Sequence, residues 1–84
     1  MAISAVKIDA RVAKVAFPAG RLEVTLRDGR VISAPLDWFP RLAMASENAR
    51  LTWEPSAAGL GIHWPLADED LSVEGLLHGG GGVE

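Results

Sequence analysis

The residues best suited to chemistry lie together in the stretch HWPLADEDLSVEGLL, residues 63–77. Three carboxylates stand in a row there, Asp68, Glu69 and Asp70, five residues after His63. Carboxylate oxygens are the ligands that a hard divalent cation prefers, and a pair of carboxylates can provide a general acid and base. Carboxylates also gather in the first turn of a helix, where the helix dipole is positive. The stretch is therefore a candidate cation site, a candidate catalytic pair or a helix start.

The spacing of the acidic triplet favours the helix start. A calcium-binding EF-hand loop distributes its ligands over twelve residues around a central glycine, and DEDLSVEGLLHG does not match that pattern. We expect Pro65 to end a strand and Asp68 or Asp70 to cap a helix over LSVEGLL. We predict no metal or cofactor, and divalent-metal or small-ligand sensing by the triplet with His63 is the alternative.

No other constellation in the sequence indicates catalysis. His63 and His78 are fifteen residues apart, and none of the serines lies in a G-x-S-x-G motif. The glycines of GLGIH match no phosphate-binding loop. The chain has no cysteine, which excludes a thiol nucleophile, a thiolate metal site and a disulfide framework. We therefore predict that the protein is not an enzyme.

The charge distribution divides the chain into two halves. Residues 1–45 carry a formal charge of +3 and residues 46–84 carry −6, which together give the net charge of −3. Either the two halves attract each other inside one fold, or the acidic half meets a basic partner. Weak nucleic-acid binding through Arg11, Arg27 and Arg30 is a further alternative, although the basic residues are not concentrated as nucleic-acid binding usually requires.

Composition and hydropathy predict a small cytoplasmic domain. The 84 residues are 49% hydrophobic and 23% charged, as in a folded globular domain. No apolar run reaches the roughly 18 residues of a membrane span, and the N-terminus lacks the continuous apolar segment of a signal peptide. We expect residues 1–78 to form one domain, followed by a disordered glycine-rich tail over residues 79–84.

The first half of the chain has the pattern of strands. RLEVTLRDG alternates with period two, and Leu22, Val24 and Leu26 share one face. The dipeptide Asp28-Gly29 predicts a tight hairpin turn with positive φ at both central positions, and RVISAP is the returning strand.

A third strand is predicted upstream in RVAKVAF, joined by a turn at PAGR. Its apolar face would consist of Ala13, Val15 and Phe17. Val6 and Ile8 are out of register with that face, so either a bulge occurs near Ala10 or the strand begins later.

The period changes in PLDWFPRLAMAS, which predicts a short helix. Asp37 would be its N-cap and Pro40 its third residue, so that Trp38, Leu42 and Ala45 share a stripe with Phe39 and Ala43 beside it. Ser46 would cap a second short helical turn.

A second hairpin is predicted in LTWEPSAAGLGIHWP. Leu51 and Trp53 would share one face, and Leu60, Ile62 and Trp64 would alternate on the returning strand, which makes Trp53 and Trp64 expected neighbours. His63 would face the opposite side from Ile62 and Trp64. The predicted fold class is α+β, a three-stranded antiparallel sheet followed by a short helix, a second hairpin and a C-terminal helix.

The ordered signals DGR, PLDWFPRL, WE, GIHWP and DEDLSVEGLL together resemble the bacterial domain of unknown function 2442 family over about residues 10–78. The resemblance implies a small α+β fold and no established catalytic residues. Some relatives resemble the N-terminal partner of a helix-turn-helix domain, for which these 84 residues leave no room. Many are encoded beside another small protein in a layout similar to toxin–antitoxin pairs.

From the residues and the resemblance we predict a non-enzymatic protein-interaction module, with an antitoxin-like role as its most specific form. The partner would be another small protein, and an unpaired sheet edge could also pair with a second copy of the chain. An exposed tryptophan next to an arginine is typical of an interface hot spot. The candidate interaction and family-motif residues are Arg30, Trp38, Arg41, His63, Trp64, Asp68, Glu69 and Asp70.

Overall fold

The computed structural model of the protein describes residues 7–79, and within them six strands and three short α-helices form a small α+β fold. The strands make two three-stranded antiparallel sheets, ordered β1-β2-β3 and β4-β5-β6. The predicted fold class is confirmed, and the second hairpin gains a third strand. Of the predicted tail, residues 80–84 lie outside the described residues. Among the described residues, no helix has the length and apolar character needed to cross a bilayer.

The first sheet consists of β1 (Val12–Ala16), β2 (Arg21–Leu26) and β3 (Val31–Pro35). The central strand β2 buries every second side chain, and Leu22, Val24 and Leu26 are at most 1% exposed. The alternation predicted for this strand is therefore confirmed, as are the two connections that place β1 and β3 on either side of it.

The edge strand β1 departs from strict alternation. Its register against β2 shifts between Val12 and Lys14, so Ala13 forms a bulge and is exposed while Val12 and Val15 are buried. The predicted face with Ala13 is therefore wrong, because a bulge moves the following side chains to the other face. Of the two predicted alternatives, the later strand start is confirmed, since β1 begins at Val12. The bulge lies at Ala13 and not near Ala10. Val6 lies outside the described residues.

The hairpin loop closed by the pairing of Leu26 with Arg30 has three residues, 27–29, where a two-residue turn was predicted. The Gly29 N–H donates to the Leu26 carbonyl (3.0 Å), and the Leu26 N–H donates to the Arg30 carbonyl (2.8 Å). Positive φ occurs at Gly29 (97°) and not at Asp28. This is the geometry of a three-residue hairpin, in which only the last loop residue needs the left-handed region.

The connection between the sheets contains a 3₁₀ turn (Leu36–Trp38), α1 (Pro40–Ala43) and α2 (Glu47–Leu51). The prediction of one helix capped by Asp37 is wrong, because Phe39 is not helical (φ −125°, ψ 80°) and Pro40 is the first residue of α1. A proline is well suited to that position, where its missing N–H has no intrahelical partner.

Because the helix is interrupted at Phe39, Phe39 and not Trp38 is the aromatic side chain of this connection that lies in the core. Phe39 is 1% exposed and Leu42 is fully buried, whereas Trp38, predicted in the apolar stripe, is 49% exposed. The second helical turn is confirmed, since the Ser46 hydroxyl accepts from the Ala49 N–H (3.1 Å) at the start of α2.

The second sheet consists of β4 (Glu54–Ser56), β5 (Gly61–Trp64) and β6 (Glu69–Ser72), and α3 (Val73–Leu77) follows directly. The predicted hairpin of β4 and β5 is confirmed, but Leu51 ends α2 and Leu60 is 48% exposed before β5 begins.

The prediction that the acidic triplet starts a helix is wrong. Pro65 ends β5 as predicted, but Glu69 and Asp70 belong to β6, and the cap of α3 is Ser72, whose hydroxyl accepts from the Gly75 N–H (2.9 Å). The segment is extended because Leu71 is buried (5% exposed) between the exposed residues Asp70 and Ser72, which is the alternation of a strand.

One core lies between the sheets and the connecting helices. Trp64 is its largest fully buried side chain, and it contacts Phe17 edge-to-face with centroids 6.4 Å apart. Trp53 packs against the same core, but the aromatic pair in the described part of the chain is Phe17–Trp64 and not the expected Trp53–Trp64.

Candidate functional site

The acidic triplet lies in the turn between β5 and β6 and in the first residues of β6. Asp68 closes the turn with a positive φ of 54°, a conformation that aspartate tolerates better than most residues. On β6, Asp70 lies directly opposite His63 of β5, and its carboxylate is 2.8 Å from the imidazole Nδ1. His63 faces away from Ile62 and Trp64, as predicted, and makes a polar contact at the surface.

Arg41 of α1 connects this turn to the rest of the fold. Its guanidinium donates to the Asp68 carbonyl oxygen and lies 3.5 Å from the Asp68 carboxylate and 4.0 Å from that of Glu69. Burial raises the pKa of Glu69, the positive charge of Arg41 opposes this rise, and the neighbouring carboxylates of Asp70 and Asp68 reinforce it. The three acids of the triplet therefore have three different environments.

Exposed side chains occupy the two segments that Arg41 joins. Trp38 is 49% exposed three residues before Arg41, and Leu66 is 60% exposed in the same turn as Asp68. The carboxylates of Asp68 and Asp70 are 93% and 71% exposed. We call this set the acidic-turn surface: Trp38, Arg41, Leu66, Asp68 and Asp70.

Trp64, a further candidate interaction residue, lies in the core and not at this surface. Its side chain is fully buried, and its Nε1–H donates to the Arg50 carbonyl (3.0 Å). A tryptophan with this environment stabilises the fold, and in the described structure it offers nothing to a partner.

Arg30, the arginine of the DGR motif, is held by its own loop. Its guanidinium pairs with the Asp28 carboxylate at 2.9 Å, and its backbone N–H donates to the same group (3.1 Å). The Asp28 side chain is only 3% exposed. These hydrogen bonds lower the pKa of Asp28 to about 2.

The same Asp-x-Arg arrangement occurs a second time beside this loop. Arg11 pairs with Asp9 at 2.9 Å, and its backbone N–H donates to the Asp9 carboxylate (3.2 Å). These contacts lower the pKa of Asp9 to about 2. The two loops also bind each other, because the Asp9 N–H donates to the Asp28 carboxylate (3.0 Å) and the Asp28 N–H donates to the Asp9 carbonyl (3.2 Å). We call Asp9, Arg11, Asp28 and Arg30 the hairpin-loop cluster.

Sequence reasoning did not find the pairing of the two Asp-x-Arg loops. The signal was present in the equal spacing of D-A-R at residues 9–11 and D-G-R at residues 28–30. The equal spacing was overlooked because D-A-R precedes the predicted strand and is not among the motifs that resemble the domain of unknown function 2442 family.

Arg50 is a second residue whose role sequence reasoning missed. Its guanidinium donates to the Leu42 and Ala43 carbonyls (both 2.8 Å), which end α1, and it lies 6.0 Å from the centroid of the Phe17 ring. With its own carbonyl bound to Trp64, Arg50 connects both short helices to the core. A basic residue that binds the last carbonyls of a preceding helix is not visible in the local pattern, because the helix ends seven residues earlier.

The arrangement suits the recognition of charge better than the coordination of a metal. Within residues 7–79, no three side chains of His, Cys, Asp or Glu converge on one point. Glu69 is turned toward Arg41 and Asp70 toward His63, while Asp68 extends into solvent. The triplet therefore presents two exposed carboxylates and one shielded carboxylate around the guanidinium of Arg41 and the imidazole of His63.

Comparisons with known proteins agree on the family and the fold. A family model described as a protein of unknown function, DUF2442, matches residues 12–82. A crystal structure of a protein of unknown function from Rhodospirillum rubrum ATCC 11170 is 32% identical, with a TM-score of 0.73, and covers 88% of this chain and 92% of that one. A solution NMR structure of an uncharacterized protein from Chromobacterium violaceum is 26% identical, with a TM-score of 0.73, and covers 86% of this chain and 68% of that one. Among proteins of curated function, none matches the chain.

Proposed function

The chain belongs to the DUF2442 family of proteins of unknown function, and we propose that it is a non-enzymatic module that binds another protein. The observation that carries the proposal is the acidic-turn surface. There, a half-exposed tryptophan and two exposed carboxylates lie on the two segments that Arg41 holds together. Tryptophan and arginine are enriched among the residues that dominate binding energy at interfaces.

The charge of this surface favours a basic partner. The carboxylates of Asp68 and Asp70 are largely exposed. The Asp68 carboxylate lies 3.5 Å from the Arg41 guanidinium, which is a long contact between two exposed groups. Arg11 and Arg30, two cations at the ends of the first sheet, are paired with their own aspartates. Complementary charges accelerate the encounter of two proteins and orient them.

An antitoxin-like role is the most specific form of the proposal. A small acidic protein that neutralises a basic toxin needs a binding surface and no catalytic group, and the absence of cysteine suits a reducing compartment such as the cytoplasm. The proposed partner is the product of the gene adjacent to the one that encodes this chain.

Co-expression of the chain with the product of the adjacent gene tests the proposal. We expect a stable complex, and Trp38→Ala should weaken it by about tenfold or more, as expected for a hot-spot tryptophan. Leu51→Ala is the matched control, because Leu51 is also large, apolar and exposed (58%) but lies on α2 outside the acidic-turn surface.

Two outcomes of this experiment count against the proposal. Failure of the two proteins to co-purify would remove the assigned partner. Equal loss of affinity in Trp38→Ala and Leu51→Ala, with unchanged thermal unfolding of both variants, would show that binding does not use the acidic-turn surface.

A further inference from the structure

A small apolar pocket lies between the β4–β5 turn and α3. Its volume is about 290 Å³, and its apolar walls include Ala57, Leu60, Val73 and Leu77. Leu60 and Leu77 are 48% and 53% exposed, which is high for leucines that line one cavity. We call this cavity the anchor pocket, because its size suits one large side chain.

The walls of the anchor pocket are held in place by hydrogen bonds and close packing. The Val73 N–H donates to the Leu60 carbonyl (2.9 Å), which ties the turn to the start of α3. On its other side the turn packs against Arg11, since a Cβ added to Gly59 would lie 2.8 Å from the Arg11 Cγ. A pocket that exists before binding does not have to be ordered by its ligand, and this favours affinity.

The turn that forms one wall also has an unfavourable backbone conformation. Ala57, Ala58 and Gly59 follow one another with φ angles of 52°, 57° and 92°. Alanine has no side-chain group that compensates for the left-handed region, so two successive alanines there are uncommon. Strained backbone of this kind is concentrated at binding sites, where the required geometry outweighs the cost.

Negative charge borders the anchor pocket. Glu74 lines it and makes no ion pair with any residue among 7–79. Ser72 also lines it, and Asp70 precedes Ser72 by two residues, so it lies on the same face of β6. That face carries His63 and Glu54 on the neighbouring strands, at positions opposite each other. A segment that leaves the pocket along this face therefore meets carboxylates.

We propose that the anchor pocket binds a bulky apolar side chain from a basic segment of a partner protein. The apolar side chain fills the space between Leu60 and Leu77, and an adjacent Arg or Lys pairs with Glu74. The inference extends the proposed function to a second surface, and it rests on that function only in assigning the pocket to a protein ligand.

Binding of short synthetic peptides to the full chain tests this inference by NMR. The probe is acetyl-Gly-Leu-Arg-Gly-amide, and its matched controls replace the leucine by alanine or the arginine by glutamate. We expect the first peptide to shift the amide signals of Leu60, Val73, Glu74 and Leu77. The glutamate peptide should bind at least fivefold more weakly, and the alanine peptide should leave these signals unchanged.

A pair of charge-reversal variants separates the pocket from general acidity. Glu74→Lys should reverse the preference between the arginine and glutamate peptides, whereas Glu47→Lys should keep it. The two positions are matched, because both are exposed glutamates in the first turn of a short helix.

The inference is overturned if the leucine–arginine peptide shifts no pocket signal, or if the arginine and glutamate peptides bind equally. Concentration-dependent shifts of the same amides without peptide would assign the pocket to a second copy of the chain and also overturn it. Peptide binding without co-purification of the adjacent gene product would contradict the proposed function alone. Co-purification without peptide binding would contradict the anchor pocket alone.

Discussion

The hairpin-loop cluster and the acidic turn are built from the same residue types but use them in opposite ways. In the hairpin-loop cluster, each aspartate pairs with an arginine two residues later, and the pKa of both aspartates falls to about 2. In the acidic turn, Asp68 and Glu69 share one arginine from a distant helix, Asp70 contacts His63, and burial raises the pKa of Glu69. Carboxylates followed closely by arginine are thus paired within their own loop, whereas Asp68 and Asp70, which have no such neighbour, keep most of their surface exposed to solvent.

Asp28→Ala, in the hairpin-loop cluster, should have the largest effect on stability. The side chain of Asp28 is 3% exposed and accepts hydrogen bonds from the Asp9 N–H and from Arg30, so its removal leaves the Asp9 N–H without this acceptor and weakens the contact between the two loops. We expect the midpoint of thermal unfolding to fall by roughly 5–10 °C. Asp37→Ala is the control, since Asp37 is exposed on the 3₁₀ turn. Equal midpoints for both variants would show that the hairpin-loop cluster does not stabilise the fold.

Acid unfolding should show the same cluster through its pH dependence. The pKa values of Asp9 and Asp28 are about 2 in the folded chain, below the ordinary 3.8, so the folded state holds their protons less tightly than the unfolded state. Their contribution to the free energy of unfolding is therefore fully present above pH 4 and is lost as the pH falls toward 2. Chemical unfolding at a series of pH values measures this loss. In Asp28→Asn the decline between pH 4 and pH 2 should be smaller, and an unchanged decline would contradict the assignment.

The sequence predicted the parts of the fold in which pattern and local chemistry agree. The alternation of Leu22, Val24 and Leu26 and the cap at Ser46 depend only on neighbours in the sequence, and both were confirmed. The acidic triplet was misassigned because its charge suggested a helix start, whereas the buried Leu71 between exposed Asp70 and Ser72 has the alternation of a strand. Tertiary burial outweighed the local preference of the carboxylates.

The candidate site was predicted less well than the fold, because it depends on contacts distant in sequence. Arg41 and Asp68 are 27 residues apart, and no local pattern shows that one binds the other. The exchange of Trp38 and Phe39 between core and surface follows from a break in the helix at Phe39, which the apolar period alone does not predict. Trp38, Arg41, Asp68 and Asp70 were named from the sequence as candidates. The contact that brings Arg41 to the β5–β6 turn was not predicted, because it joins distant segments.

Arg41→Ala and Asp70→Ala distinguish a role of the acidic turn in binding from a role in folding. Both side chains are exposed, and exposed ion pairs contribute about 0–1 kcal/mol, so the free energy of unfolding should change by no more than about 1 kcal/mol. The affinity for the partner should fall by a larger factor than this change implies. Isothermal calorimetry of each variant measures the affinity for the partner, and thermal unfolding measures the stability of the fold. Parallel losses in both measurements would make the acidic turn a structural cluster like the hairpin-loop cluster.

Glu69→Gln should give the smallest effect, and its sign is opposite to that of Asp28→Asn. Because the pKa of Glu69 is raised in the folded chain, its contribution to stability is fully present below its ordinary value of 4.5 and is lost as the pH rises through the folded pKa. At pH 7 the wild type therefore keeps an ionised carboxylate in a partly buried position at some cost, and Gln removes that cost. We expect the variant to unfold at a slightly higher denaturant concentration than the wild type at pH 7, and to lose this advantage below pH 4. Glu54→Gln, a change of equal charge at an exposed position of the same sheet, controls for net charge. A Glu69→Gln variant that is less stable at pH 7 would mean that the contact with Arg41 outweighs the burial of the carboxylate, and the acidic turn would then resemble the hairpin-loop cluster.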